Sequence, residues 1–141
     1  MNTQFYELLQ RIKNLKLKKK TYALFGSAPI VVRSIREFSN DIDVIVNEDI
    51  WNEYLDKNGW EYKKFQKNNS IIEAIVSGKI EFYKSWAPGD WDIQELIDKA
   101  DDIDGIPYVN LKDVLEWKKL NRRPKDMKDI HLIEEYINNN L

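Results

Sequence analysis

A mixed α+β layer fold, a short mixed sheet flanked by helices with a helical C-terminal segment, is predicted by three observations. Stretches of helical hydrophobic spacing alternate with short apolar runs in the first half of the chain. Three β-branched and aromatic runs then follow one another directly, and the last third returns to helical spacing. That order fits neither a bundle nor a sandwich. The chain has 141 residues, 43% of them apolar, with five Trp, seven Tyr and five Phe. This is enough for one core, and residues 1–141 are read as a single domain.

The elements follow in order. Phe5, Leu8, Leu9, Ile12 and Leu15 recur at helical spacing and predict an amphipathic helix over 3–19. Tyr22-Ala23-Leu24-Phe25 reads as a buried strand that runs into Gly26-Ser27. A helix follows, with Ser27 as cap and Pro29 in its first turn. Ile42, Val44 and Val46 alternate with Asp41, Asp43 and Ile45, giving a strand with a polar edge. Asn47 caps a helix over 48–58. Strands are expected over 60–65, 70–76 and 79–86, with Ser77-Gly78 as the hairpin between the last two. Ala87-Pro88-Gly89-Asp90 is a loop, and Asp92 caps a helix over 93–100. Helices then run from Asn110 or Leu111 to Leu120, and from Pro124 to Asn138.

Composition excludes several chemistries. There is no Cys, which removes disulfides, thiol catalysis and Cys-based zinc sites. His131 is the single His, which removes a multi-histidine metal site and argues against a Ser–His relay. The longest uncharged stretch, Thr21 to Val32, has 12 residues, against roughly 20 for a membrane span. No secretory signal is read at the start, and a cytoplasmic protein without a membrane is expected. The formal net charge of −2 hides a segregation: residues 1–20 hold six Lys/Arg and one acid, whereas 87–104 hold seven acids and one Lys. The basic run Lys16 to Lys20 is either a solvated helix face or an edge that steers a polyanion such as RNA.

The chemically informative stretch is Gly26-Ser27 followed by Asp41-Ile42-Asp43-Val44. Gly26 lets the backbone pass close to a ligand, and Ser27 opens a helix whose free N–H groups attract phosphate. Asp41 and Asp43, two apart on a strand, project from one face. Two hard oxygen ligands there suit Mg²⁺, which completes its shell with water and phosphate. If the strand Lys79–Tyr83 lies beside them, Glu81 adds a third carboxylate.

This Gly-Ser, gap, Asp-h-Asp-h arrangement (h, hydrophobic) resembles the polymerase beta nucleotidyltransferase superfamily, above all its small bacterial members. Those include abortive-infection toxin-like and small aminoglycoside nucleotidyltransferases. A second similarity lies downstream, where Lys118, Arg123-Pro124-Lys125-Asp126 and Asp129 resemble that group's Lys-x₄-Arg-x-Lys-Asp-x₂-Asp signature. The resemblance spans residues 22–135. It implies a nucleotidyltransferase fold and an NTP bound at the Gly26-Ser27 turn. It also implies two Mg²⁺ ions on Asp41 and Asp43, with Glu81 as third ligand and general base. Lys118, Arg123 and Lys125 would meet the triphosphate, while Asp126 would orient Lys125 or bind a substrate amine. NMP would pass to a hydroxyl of an RNA end, a protein or a small molecule. The size of the chain leaves little room for a separate acceptor-binding domain, so either the acceptor is small or a partner protein or second subunit supplies the missing surface. The alternative is a non-catalytic nucleotide- or protein-binding member, such as one half of a toxin–antitoxin pair.

Plainer readings stand beside these. Ser27 serves equally as a simple cap, and Arg123 to Asp126 as an ordinary helix start. Arg33 and Arg36 either approach the nucleotide or lie on the surface. Trp86 and Trp91 either stack a base or pack the core, and His131 is a surface or partly buried residue. Asp102-Ile103-Asp104-Gly105 lacks the outer ligands of a calcium loop, and Gly78-Lys79 lacks the rest of a P-loop.

Overall fold

The computed structural model describes residues 2–67 and 69–140. Seven strands make one mixed sheet. They are β1 (Tyr22–Phe25), β2 (Ile42–Val46), β3 (Glu61–Lys67), β4 (Ser70–Ser77), β5 (Ile80–Tyr83), β6 (Asp101–Ile103) and β7 (Ile106–Tyr108), in the order β3-β4-β5-β2-β1-β7-β6. β2 runs antiparallel to β1 and parallel to β5, and β1 runs parallel to β7. The β3–β4, β4–β5 and β6–β7 pairs are antiparallel.

The period-2 alternation of β2 separates two apolar layers. Ile42, Val44 and Val46 join Ile80 and Phe82 of β5 beneath Phe5, Leu8, Leu9 and Ile12 of α1 (Thr3–Leu15) and Ile50, Trp51 and Tyr54 of α3 (Glu48–Tyr54). On the other face, Ala23, Phe25 and Ile45 meet α4 (Ile93–Asp98), α5 (Leu111–Asn121) and α6 (Pro124–Asn139) through Leu96, Ile97, Val114, Trp117 and Ile133. Ile45 therefore sits on the face of the acids because helices cover its end of that face. Asp41 and Asp43 lie farther along, where a cavity opens.

Caps explain most boundaries. Asn47, Asp92 and Asn110 each accept a hydrogen bond from the backbone N–H three residues on, at Ile50, Glu95 and Asp113. Ser27 begins the short α2 (Ala28–Val31), but its hydroxyl makes no capping bond.

Several sequence expectations change. α1 stops at Leu15, not 19, because Lys16 adopts a left-handed φ of 54° and a run of like charges follows. α3 ends its regular span at Tyr54 rather than 58, α4 at Asp98 rather than 100, and β5 at Tyr83 rather than 86. The larger correction is β6–β7, which residues 101–108 form where no strand was expected. The lysine run enters β1 at Tyr22, whereas the acids lie at the Phe25 end, opposite Asp43. Lys20 instead donates to the Asp98 carbonyl at 3.2 Å. Among the described residues, no helix is long and apolar enough to cross a membrane.

Candidate functional site

Parallel pairing of β2 and β5 sets Asp43 directly beside Glu81. Antiparallel pairing with β1 brings Asp43 next to Phe25, so the chain turns away at Gly26 immediately over the Asp43 carboxylate. Gly26 has φ +59°, and a Cβ built on it would overlap Asp43 Oδ2 and lie 3.2 Å from its Cγ. Glycine is thus required twice, for the backbone and for the space. Gly26→Ala is expected to cost about 1–2 kcal/mol, the usual left-handed penalty, and to push the Asp43 carboxylate aside. Urea unfolding checks the first effect, and the NMR shift of the Asp43 side-chain carboxyl carbon checks the second.

A cavity of about 410 Å³ opens at this point, and Gly26, Ser27, Asp41, Asp43, Glu81, Lys118, Arg123 and Lys125 all line it. Residues nearly a hundred positions apart thus share one space, carboxylates on the sheet and cations on α5, α6 and their junction.

On the acidic side, the Tyr83 hydroxyl donates to Glu81 Oε1. Burial, reinforced by the charges of Asp43, Glu81 and Asp41, pushes the Tyr83 phenol far above its ordinary pKa. The phenol therefore stays a proton donor to Glu81. Asn40 Nδ2 donates to Asp41 Oδ2 at 3.2 Å. Among the described residues, no group of three or more His, Cys, Asp or Glu is gathered closely enough to hold a metal ion. The three carboxylates share a cavity without forming a closed cage. One oxygen of Glu81 is engaged by the Tyr83 hydroxyl. Their chemistry still fits Mg²⁺, which needs only one or two protein carboxylates beside water and phosphate.

The cationic side is built around buried ion pairs. Lys118 is 2% exposed, with Nζ 3.2 Å from Asp126 Oδ1 and 3.0 Å from Asp129 Oδ2. Arg36 Nε lies 3.0 Å from Asp129 Oδ1. Asp126 is 0% exposed and receives hydrogen bonds from the Arg123 backbone N–H and guanidinium at 2.8–3.0 Å. Burial pulls the Asp126 carboxyl upward, but Arg123 and Lys118 outweigh it and hold the pKa below the ordinary value. Asp126 therefore orients Arg123 and Lys118. The expectation that it orients Lys125 or meets a substrate amine is corrected, since its oxygens are buried and engaged. Lys125 forms no ion pair among the described residues, and Arg123, then burial, lower its pKa. Cations that repel one another at a cavity wall make an anion-accepting pole.

Other candidates separate cleanly. Arg36 lines the cavity, while Arg33 turns away to Asp101 at 3.0 Å. Trp86 lines the cavity but stacks on Phe25, with centroids 4.4 Å apart and planes at 12°. Trp91 packs edge-on to Phe25 and donates to the Pro88 carbonyl. Both tryptophans pack against Phe25, the residue that precedes Gly26. His131 is exposed on α6, 3.8 Å from Glu135. Tyr83 and the hairpin residues Phe65, Ile71 and Ile72 were not foreseen as cavity residues. For Tyr83 the signal existed, because two residues from Glu81 on a strand means the same face. No protein-family model and no curated protein matches the chain.

Proposed function

We propose that the protein is a Mg²⁺-dependent nucleotidyltransferase, with the nucleotidyltransferase fold its motifs resemble, moving NMP from an NTP to a hydroxyl. The observation that carries this reading is the two-pole cavity. Asp41, Asp43 and Glu81 line one side, Arg123 and Lys125 the other, and the Gly26 turn passes directly over Asp43.

Asp41 and Asp43 are the residues that would hold Mg²⁺, with Glu81 as a further oxygen donor. Bound there, one or two ions supply charge neutralisation for the triphosphate and for the transition state. The protein's own groups do the rest. Arg123 and Lys125 bind the β- and γ-phosphates, and Lys118 with Asp126 and Asp129 keeps Arg123 and Arg36 in place. Gly26 leaves room for the phosphates against the backbone. The Glu81 carboxylate receives the proton of the attacking hydroxyl, oriented by Tyr83. The proposed use of NTPs favours a cytoplasmic location.

Calorimetric titration of each NTP, with and without Mg²⁺, into wild type and Asp43→Asn tests the reading. Metal-dependent binding in wild type, lost in the variant, is the expected result. Absence of binding by every NTP overturns it and favours a non-catalytic member that acts with a partner.

A further inference from the structure

We propose that Arg36 binds phosphate in the cavity and grips the triphosphate in the place that the motif resemblance gives to Lys118. The inference deepens the nucleotidyl-transfer reading and rests on its NTP. Its starting point is which donors of the anion-accepting pole are already engaged.

Lys118 cannot leave its partners. Its ammonium is buried between two carboxylates, 3.2 Å from Asp126 Oδ1 and 3.0 Å from Asp129 Oδ2. Drawing it toward a phosphate would leave both buried aspartates without their shared cation. Arg123 is half engaged. Its Nε and Nη2 hold the two oxygens of Asp126 at 2.8 and 3.0 Å, so a carboxylate already occupies one edge of the guanidinium.

Arg36 differs from both. It lines the same cavity, with its side chain 26% exposed. Its Nε lies 3.0 Å from Asp129 Oδ1, yet this buried nitrogen makes no directed hydrogen bond. Nη1 donates only a long bond, 3.4 Å, to the Glu37 carbonyl. The charge of Asp129 thus steadies the guanidinium while the Nη edge is left for an anion. That edge matches two phosphate oxygens at once, which an ammonium cannot do. Arg36 also stands near Lys125, whose pKa is lowered by Arg123 first, then by burial, and further by Lys118 and Arg36. A phosphate bound at Arg36 and Lys125 relieves their repulsion.

Chain position gives a second reason. Arg36 precedes Asp41 by five residues, and Ser39 and Asn40 between them also line the cavity. One short segment therefore carries a cation for the phosphates and a carboxylate for the metal. Holding the triphosphate at Arg36 places Asp41 beside it.

The test is calorimetric titration of Mg²⁺-NTP, NMP and inorganic tripolyphosphate into wild type and Arg36→Lys. The lysine keeps a charge near Asp129 but has no fork. NTP and tripolyphosphate affinities are expected to fall about tenfold, the loss of one charge-assisted hydrogen bond. NMP affinity and the urea midpoint should stay the same. Arg33→Lys, whose parent side chain turns away to Asp101, should change none of these. Unchanged NTP and tripolyphosphate affinities in Arg36→Lys overturn the inference and leave nucleotidyl transfer standing. An equal loss for NTP and NMP also overturns it, because Arg36 then acts only through the fold. Arg36-dependent tripolyphosphate binding by a protein that binds no NTP supports the phosphate site and overturns nucleotidyl transfer. No binding of either by wild type overturns both. Should Arg36→Lys not fold, the NMR shifts of the wild-type Arg36 Nη groups decide: tripolyphosphate moves them if they bind it, and unmoved resonances overturn the inference.

Discussion

Lys118→Met is expected to cost about 3–5 kcal/mol of stability, the usual penalty for removing one partner of a buried ion cluster. The methionine fills much the same volume but leaves Asp126 and Asp129, both buried, without the ammonium between them. Arg123 still satisfies Asp126, so Asp129 bears most of the uncompensated charge, shared with Arg36. Urea unfolding at neutral pH measures the loss, and a cost under 1 kcal/mol would mean that the cluster is not a unit. The cluster also predicts an acid limb. The native Asp126 carboxyl lies below its ordinary value of 3.8. Its stabilising contribution is therefore complete above the unfolded-state pKa and is lost as pH falls through the lower native one. Wild type should lose stability below about pH 4.

Glu81→Gln is expected to reduce nucleotidyl transfer by about 10²–10⁴-fold while NTP affinity changes little, the range for loss of a general base. The amide keeps the size and an acceptor oxygen for the Tyr83 hydroxyl, so the local packing persists. Single-turnover transfer from labelled NTP, set against calorimetric NTP affinity, separates the two quantities. A parallel collapse of both would assign Glu81 to holding the metal and not to proton transfer.

Much of the fold was legible because it is written in local chemistry. Asn47 and Asp92 are caps by spelling and caps in the structure, since an N-cap needs only a short acceptor side chain three residues from an N–H, and Asn110, read only as a possible helix start, caps in the same way. The β6–β7 hairpin was missed although Asp104-Gly105, at φ 52° and 86°, is a strong two-residue turn signal. Its flanking strands have three residues each, and β6 reads as part of an acidic run, so periodicity had too little length to speak. The end of α1 was likewise hidden, because Lys16 is an ordinary helix residue by type and takes its left-handed φ of 54° only in the folded chain.

The site divides along the same line. Asp41 and Asp43 share a face on any strand, and Gly26 before a helix start suggests a close passage; both follow from backbone geometry within a few residues. That Glu81 stands beside Asp43 depends on which strands pair and in what register, which no local pattern contains. The fate of the second motif was also tertiary. Arg123, Lys125 and Asp126 look alike as exposed charges in the sequence. Packing of α5 against α6 buries Asp126 with Lys118, while Arg123 and Lys125 remain at the cavity wall. By itself the sequence determined the helices, most strands and the paired acids, because these depend on neighbours in the chain. Only the tertiary structure decided which charges neutralise one another and which face the cavity. Burial makes an unpaired charge too costly, and burial belongs to the folded whole.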